Sequence, residues 1–149
     1  MANITTTSLT LKGGLPGFLA VPANAKGRVP AVVLMHERYG FVKHTQDLAE
    51  RFAHDGFVCL APDCFYRHPD QKALHAGDSR YDLTDPESVE YLSIAIDALK
   101  DVKEADPDKV AVKGVCQTGR HPLVLAAERP IGASITPRRA LGTPQTSAT

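Results

Sequence analysis

Cys116 stands in KGVCQTGR (113–120) between Gly114 and Gly119, directly after an apolar run. A glycine two residues before a nucleophile and another three residues after it, between strand and helix, describe a sharp elbow that lifts a side chain clear of a sheet edge. The positive end of a helix starting there favours a thiolate, and the Gln117 backbone N–H, one residue on, is placed to meet a developing oxyanion. The competing reading is a small buried core thiol, the usual fate of a free cysteine. An ordinary thiol ionises near pH ~8.5, so a working nucleophile needs an activating partner. Cys59, Cys64, His68 and His75 match no zinc-ligand spacing, and no metal is expected. Arg67 and Arg80 sit in a polar segment and read as solvated arginines, and His44 and His54 read as helix surface.

The elements that must position Cys116 can be read from period and punctuation. TTSLTLKGGLPGFLAVPA describes two short strands around a glycine-rich turn; no helix pattern follows these glycines, which argues against a phosphate cradle. VPAVVLMHE (29–37) is a near-continuous, β-branched apolar run, the mark of a strand covered on both faces. HTQDLAERFAHDG is a helix closed by Gly56, and FVCLAP (57–62) is the next buried strand. Residues 63–84 are polar and aperiodic and are expected to form a long surface excursion. DPESVEYLSIAIDALKD is a helix capped by Thr84 or Asp85, with Val89, Leu92, Ile96 and Leu99 in one stripe. KVAVKGV (109–115) is a strand, 118–129 a helix provided Pro122 falls in its first turn, and IGASI (131–135) a last short strand. Alternation of this kind implies an α/β fold with a mainly parallel sheet and helices on both faces.

The chain has 149 residues, enough for one domain, here expected over 1–135 with a disordered tail over 136–149. Seventeen basic residues balance seventeen acidic ones, which disfavours nucleic acid and anionic membranes as partners. The longest apolar stretch, VPAVVLM, falls well short of the ~20 residues a membrane span needs. The N-terminus lacks the features of a signal peptide, and three cysteines without a C-x-x-C fit a reduced compartment; the expectation is cytoplasmic.

VVLMHERYG, FVCLAPDCFYR and KVAVKGVCQTGR, in this order, resemble the dienelactone hydrolase family, a cysteine-using branch of the α/β-hydrolase fold. The resemblance runs from about Leu15 to Ile135. It implies Cys116 as nucleophile, Glu37 as the glutamate that holds or releases its proton, and the backbone N–H groups of Arg38 and Gln117 as the oxyanion hole. It also implies a small ester or lactone substrate, an acyl-enzyme, and no cofactor. A carboxylate closing a buried strand, as Glu37 is expected to do, is costly unless paired or working, with Arg38, Arg67 or a helix N-terminus as alternative partners.

The family places an aspartate and then a histidine after the nucleophile. Here the last aspartate is Asp108, and the one histidine after Cys116 is His121, on the elbow's own helix and expected to serve the helix surface or packing rather than as base. Thr118 stands where the family normally has glycine, and its β-branch is expected to crowd the elbow. The resemblance stops near Ile135, which reads as a truncation or a shifted reading frame that removes the last strands and leaves a sheet edge open for self-association. Three readings follow: a dienelactone-hydrolase-like hydrolase, an impaired relative that at most binds a small carboxylate or pairs with another chain, and, last, a flavodoxin-like binding module.

Overall fold

The computed structural model describes residues 3–135, without the side chains of Cys116, Gln117, Ser134 and Ile135. The expected tail over 136–149 lies outside the described residues. Its elements are β1 (Ile4–Thr10), β2 (Pro16–Pro22), β3 (Val29–Leu34), α1 (Lys43–His54), β4 (Val58–Pro62), α2 (Gln71–Ala76), α3 (Asp85–Ala98), β5 (Ala105–Lys113), α4 (His121–Glu128) and β6 (Ala133–Ile135). They build one mixed sheet in the order β1-β2-β4-β3-β5-β6. The β1–β2 hairpin enters antiparallel and pairs antiparallel with β4, while β4, β3, β5 and β6 run parallel. The apolar runs over β3 and β4 thus fall on the two central strands, covered on both faces as continuous hydrophobicity requires.

One face is closed by α1. Its buried residues are Thr45, Ala49 and Ala53, and the alanines bring the helix close to Ala20, Val32, Leu34, Cys59 and Ala61. Leu48 and Phe52 flank this contact half-buried. The opposite face receives α3 and α4, which bury Tyr91, Leu92, Ala95, Ile96 and Leu125 against Ala31, Val33, Val58, Leu60, Val110 and Val112. Cys59 and Cys64 fall in separate cores, one on each side of the sheet, and so cannot share a ligand.

Three local findings differ from the sequence reading. The excursion after β4 contains a short helix, α2, capped by the Asp70 carboxylate accepting the Ala73 N–H and closed by Gly77 at φ 84. Strand β5 begins at Ala105, four residues early, because a bulge between Val29 and Ala31 lets Ala105 pair with Val29 and absorbs the turn-like ADPD. Strand β3 ends at Leu34, so His36 and Glu37 sit in the loop beyond it rather than on the strand. Pro122 falls in the first turn of α4, the position a proline tolerates. β6 has no second strand partner among the described residues, and an apolar groove of about 410 Å³ beside it is walled by Val32, Phe52, Phe57, Ala111 and Ala133.

Candidate active site

Three connections meet at the carboxyl edge of the parallel strands: the loop after β3, the loop after β4 and the turn after β5. Beyond β5 the backbone passes Gly114 into a 3-10 turn over Cys116–Arg120 and on into α4, the strand–turn–helix the elbow pattern demands. Gly114 is obligatory on steric grounds. A Cβ there would lie 2.3 Å from the Thr118 carbonyl oxygen and 2.8 Å from Gly119 Cα, both backbone atoms that cannot yield.

Thr118, expected to crowd this turn, ties it instead. The residue is buried, and its hydroxyl accepts the Val115 N–H at 2.9 Å. Its single proton is shared between the Val115 carbonyl at 2.8 Å and the His36 carbonyl at 3.0 Å, a contact spanning 82 residues of chain. The elbow is therefore fastened to the residue immediately before Glu37.

His36 fastens the third connection. Its ring is buried, with Nδ1 2.8 Å from the Glu37 carbonyl and Nε2 3.0 Å from the Cys64 backbone nitrogen. A carbonyl can only accept and an amide N–H only donate, so the ring is neutral with its proton on Nδ1. Burial pushes its pKa down, outweighing the opposing Glu37 carbonyl and Asp63 carboxylate. Asp63 lies 3.8 Å from Nε2, but that nitrogen already accepts from Cys64, so the two form no acid–base dyad. The ring also packs edge-on against Phe65, centroids 4.5 Å apart. With both nitrogens committed, His36 cannot take a proton from a thiol.

The loop it holds carries two of the residues singled out from sequence. Glu37 and Arg38 are each half-buried, and a turn closes behind them as the Gly40 N–H donates to the Glu37 carbonyl at 3.1 Å. The Arg38 guanidinium folds back over the Tyr39 ring at 4.7 Å. Tyr39 and Arg38 would stand 3.0 and 3.2 Å from any Cβ at Gly77, so α2 is seated directly on this turn. Roles that need the side chains of Cys116 or Gln117 fall outside the described residues.

His121 is buried at the start of α4, a packing place rather than helix surface, with no hydrogen-bond partner for Nδ1 among the described residues. Desolvation and the neighbouring Arg120 charge push its pKa down. Arg120 itself pins the start of α4 to the start of α3: Nη2 donates to Asp85 Oδ2 at 3.0 Å, and Nη1 faces Oδ1 at 2.8 Å as a charge contact rather than an aligned hydrogen bond. Arg67 is exposed and lies over the Tyr66 and Tyr91 rings, its Nε donating to the Tyr66 hydroxyl. Arg80 is exposed and faces Asp82 at 3.8 Å. Sequence reasoning missed His36 and Thr118 as the ties of the site; a histidine inside an apolar run and a β-branched hydroxyl in a tight turn were the available signals.

The sequence model of the dienelactone hydrolase family covers residues 15–137. The chain belongs to that family. It is 31% identical over 132 residues to "Protein usf" of Aquifex pyrophilus, covering 80% of this chain and 54% of that one. It is 27% identical over 120 residues to a Yersinia pestis protein named "Putative carboxymethylenebutenolidase", covering 78% of this chain and 45% of the relative. Among solved structures, a dienelactone hydrolase-like promiscuous phosphotriesterase from metagenomic libraries superimposes with a TM-score of 0.72 at 26% identity, over 91% of this chain and 59% of that one. The fold is thus that of the α/β-hydrolases of this family, and the chain spans about half the length of these two curated relatives. No helix among the described residues is long and apolar enough to cross a membrane.

Proposed function

We propose that the chain acts as a dienelactone-hydrolase-like hydrolase of small carboxylic esters or lactones. The Cys116 thiolate attacks the acyl carbon, the ester or lactone C–O bond breaks, and the leaving oxygen takes a proton as a thioester forms; water then releases the acid. Glu37 accepts and returns the thiol proton. The backbone N–H groups of Arg38 and Gln117 receive the oxyanion. No organic cofactor or metal takes part, the substrate is a small molecule, and the reduced thiol suits the cytoplasm. The edge of β6, unpaired among the described residues and beside its apolar groove, is where a second copy would pair.

The observation that supports this reading most strongly is the Thr118–His36 hydrogen bond, 3.0 Å long across 82 residues, which brings the elbow and the Glu37–Arg38 loop to one point. Mixing the protein with a dienelactone or p-nitrophenyl acetate, beside Cys116→Ala, tests it. At least one equivalent of product and a matching acyl mass increment on Cys116 are expected from the parent and neither from the variant. Equal behaviour of the two proteins would refute the reading. Sustained turnover beyond one equivalent needs a base for deacylation, so the ratio of burst to steady rate reports how well this chain supplies one.

A further inference from the structure

We infer that His36 is a positioning residue of this site, the strap that sets Glu37 and Arg38 relative to the elbow; the inference rests on the reading of Glu37 as the proton partner of Cys116. Four contacts carry it. The ring donates to the Glu37 carbonyl, accepts from the Cys64 amide and packs on Phe65, while the residue's own carbonyl receives the Thr118 hydroxyl. One side chain and its backbone therefore join the loops after β3 and β4 and the turn after β5.

Only a neutral imidazole with its proton on Nδ1 serves this geometry. It offers a donor and an acceptor on opposite sides of one rigid ring, at fixed separation. A second proton on Nε2 would face the Cys64 N–H donor to donor and break that link. The charged and titratable groups around the ring are Asp63 and Cys64 beyond β4, His75 on α2 and the neighbouring Glu37. Asp63 at 3.8 Å is too far to replace the lost bond, and His75 opposes any added charge. The strap thus works when neutral and slackens when charged.

The test uses the full chain and the pH dependence of Cys116 alkylation by iodoacetamide, read by peptide mass spectrometry so that Cys59 and Cys64 are counted separately. His36→Phe keeps the ring's bulk and its Phe65 contact but loses both hydrogen bonds; it is expected to move the midpoint of the alkylation profile by about one pH unit toward a free thiol, roughly tenfold in rate at fixed pH. His36→Gln, whose side-chain oxygen can still accept from Cys64, should lie closer to the parent. A merely structural histidine would lower the melting temperature in both variants and leave the midpoint where it was, which would overturn the inference. Glu37→Gln separates the two levels: if it leaves the parent profile unchanged, the reading of Glu37 fails and the inference falls with it. If it moves the profile while His36→Phe does not, the inference alone fails. Should His36→Phe not fold, the ¹⁵N shifts of the parent decide. A neutral, Nδ1-protonated ring at pH 6 supports the strap, and an Nε2-protonated or cationic ring overturns it.

Discussion

Replacing Thr118 by valine changes one atom type and almost no volume, so it isolates the hydroxyl. Two polar groups lose their partner: the Val115 N–H, bonded at 2.9 Å, and the His36 carbonyl, bonded at 3.0 Å. The Val115 carbonyl is not orphaned, because it also accepts the Thr118 N–H at 3.0 Å. Leaving a buried donor or acceptor unsatisfied costs about 1–3 kcal/mol each. The added methyl recovers about 0.8 kcal/mol. The Val115 end is only partly buried, so the lower figure applies there, and the net loss is about 1–3 kcal/mol. For a chain of this size that corresponds to a melting temperature lower by roughly 2–12 °C. Urea unfolding followed by far-UV circular dichroism measures it, with Thr118→Ser as the control that keeps the hydroxyl and loses only a methyl, about 1 kcal/mol. If Thr118→Val proves no less stable than Thr118→Ser, the hydroxyl is not the tie argued for it.

Both buried histidines, His36 and His121, have pKa values held below the ordinary 6.5. Below that pH the unfolded chain binds more protons than the folded one, so stability is level above about pH 6.5 and falls on acidification, by at most about 1.4 kcal/mol per pH unit for each histidine. Urea midpoints between pH 8 and pH 5 follow this, and a flat or rising profile toward acid would contradict it. Burial pushes the Cys59 and Cys64 thiols up, so in the native chain both should alkylate at least about 100-fold more slowly than in urea; timed mass spectrometry reads the two sites separately. Thr84 and Glu87 exchange reciprocal bonds at the start of α3, the Thr84 hydroxyl accepting the Glu87 N–H at 3.2 Å and Glu87 accepting the Thr84 N–H at 3.1 Å. Thr84→Ala should cost about 1 kcal/mol by chemical denaturation, and Thr84→Ser should restore most of it.

The parts of the fold that were legible in the sequence are those where one residue type has one physical use. VPAVVL and VCLAP read as buried strands because only a two-sided covering accommodates so many adjacent apolar residues, and they became the central pair. A cap at Thr84 or Asp85 with Pro86 in the first turn announced the start of α3; the structure settles on Thr84, and the returning Glu87 carboxylate that completes the capping box was not read beforehand. Helix α2 was missed although Asp70 and Gly77 mark its ends, since six residues are too few to show a period. The elbow at Cys116 was read from its glycines, and Gly114 owes its place to backbone atoms of Thr118 and Gly119, four and five residues further on. Thr118 and His36 could not be read in the same way. Their uses lie in partners 82 and 28 residues distant, and a hydroxyl or an imidazole in sequence does not say which backbone group it will meet.

That separation also sets a schedule for the growing polypeptide. Strands β1, β2, β3 and β4 all come from residues 4–62 and are mutual neighbours at one side of the sheet, so they and α1 can assemble as soon as that length leaves the ribosome. The inner edge of β3 must then wait for β5, and the His36 carbonyl must wait 82 residues for its hydroxyl. At about 5–20 residues per second, this interval lasts roughly 4–16 s. From the completion of β4 until β5 emerges, the nascent chain presents a ready strand edge. Premature pairing at that edge is the hazard of this strand order, and the turn after β5 can reach the loop after β3 only once residue 118 has been made.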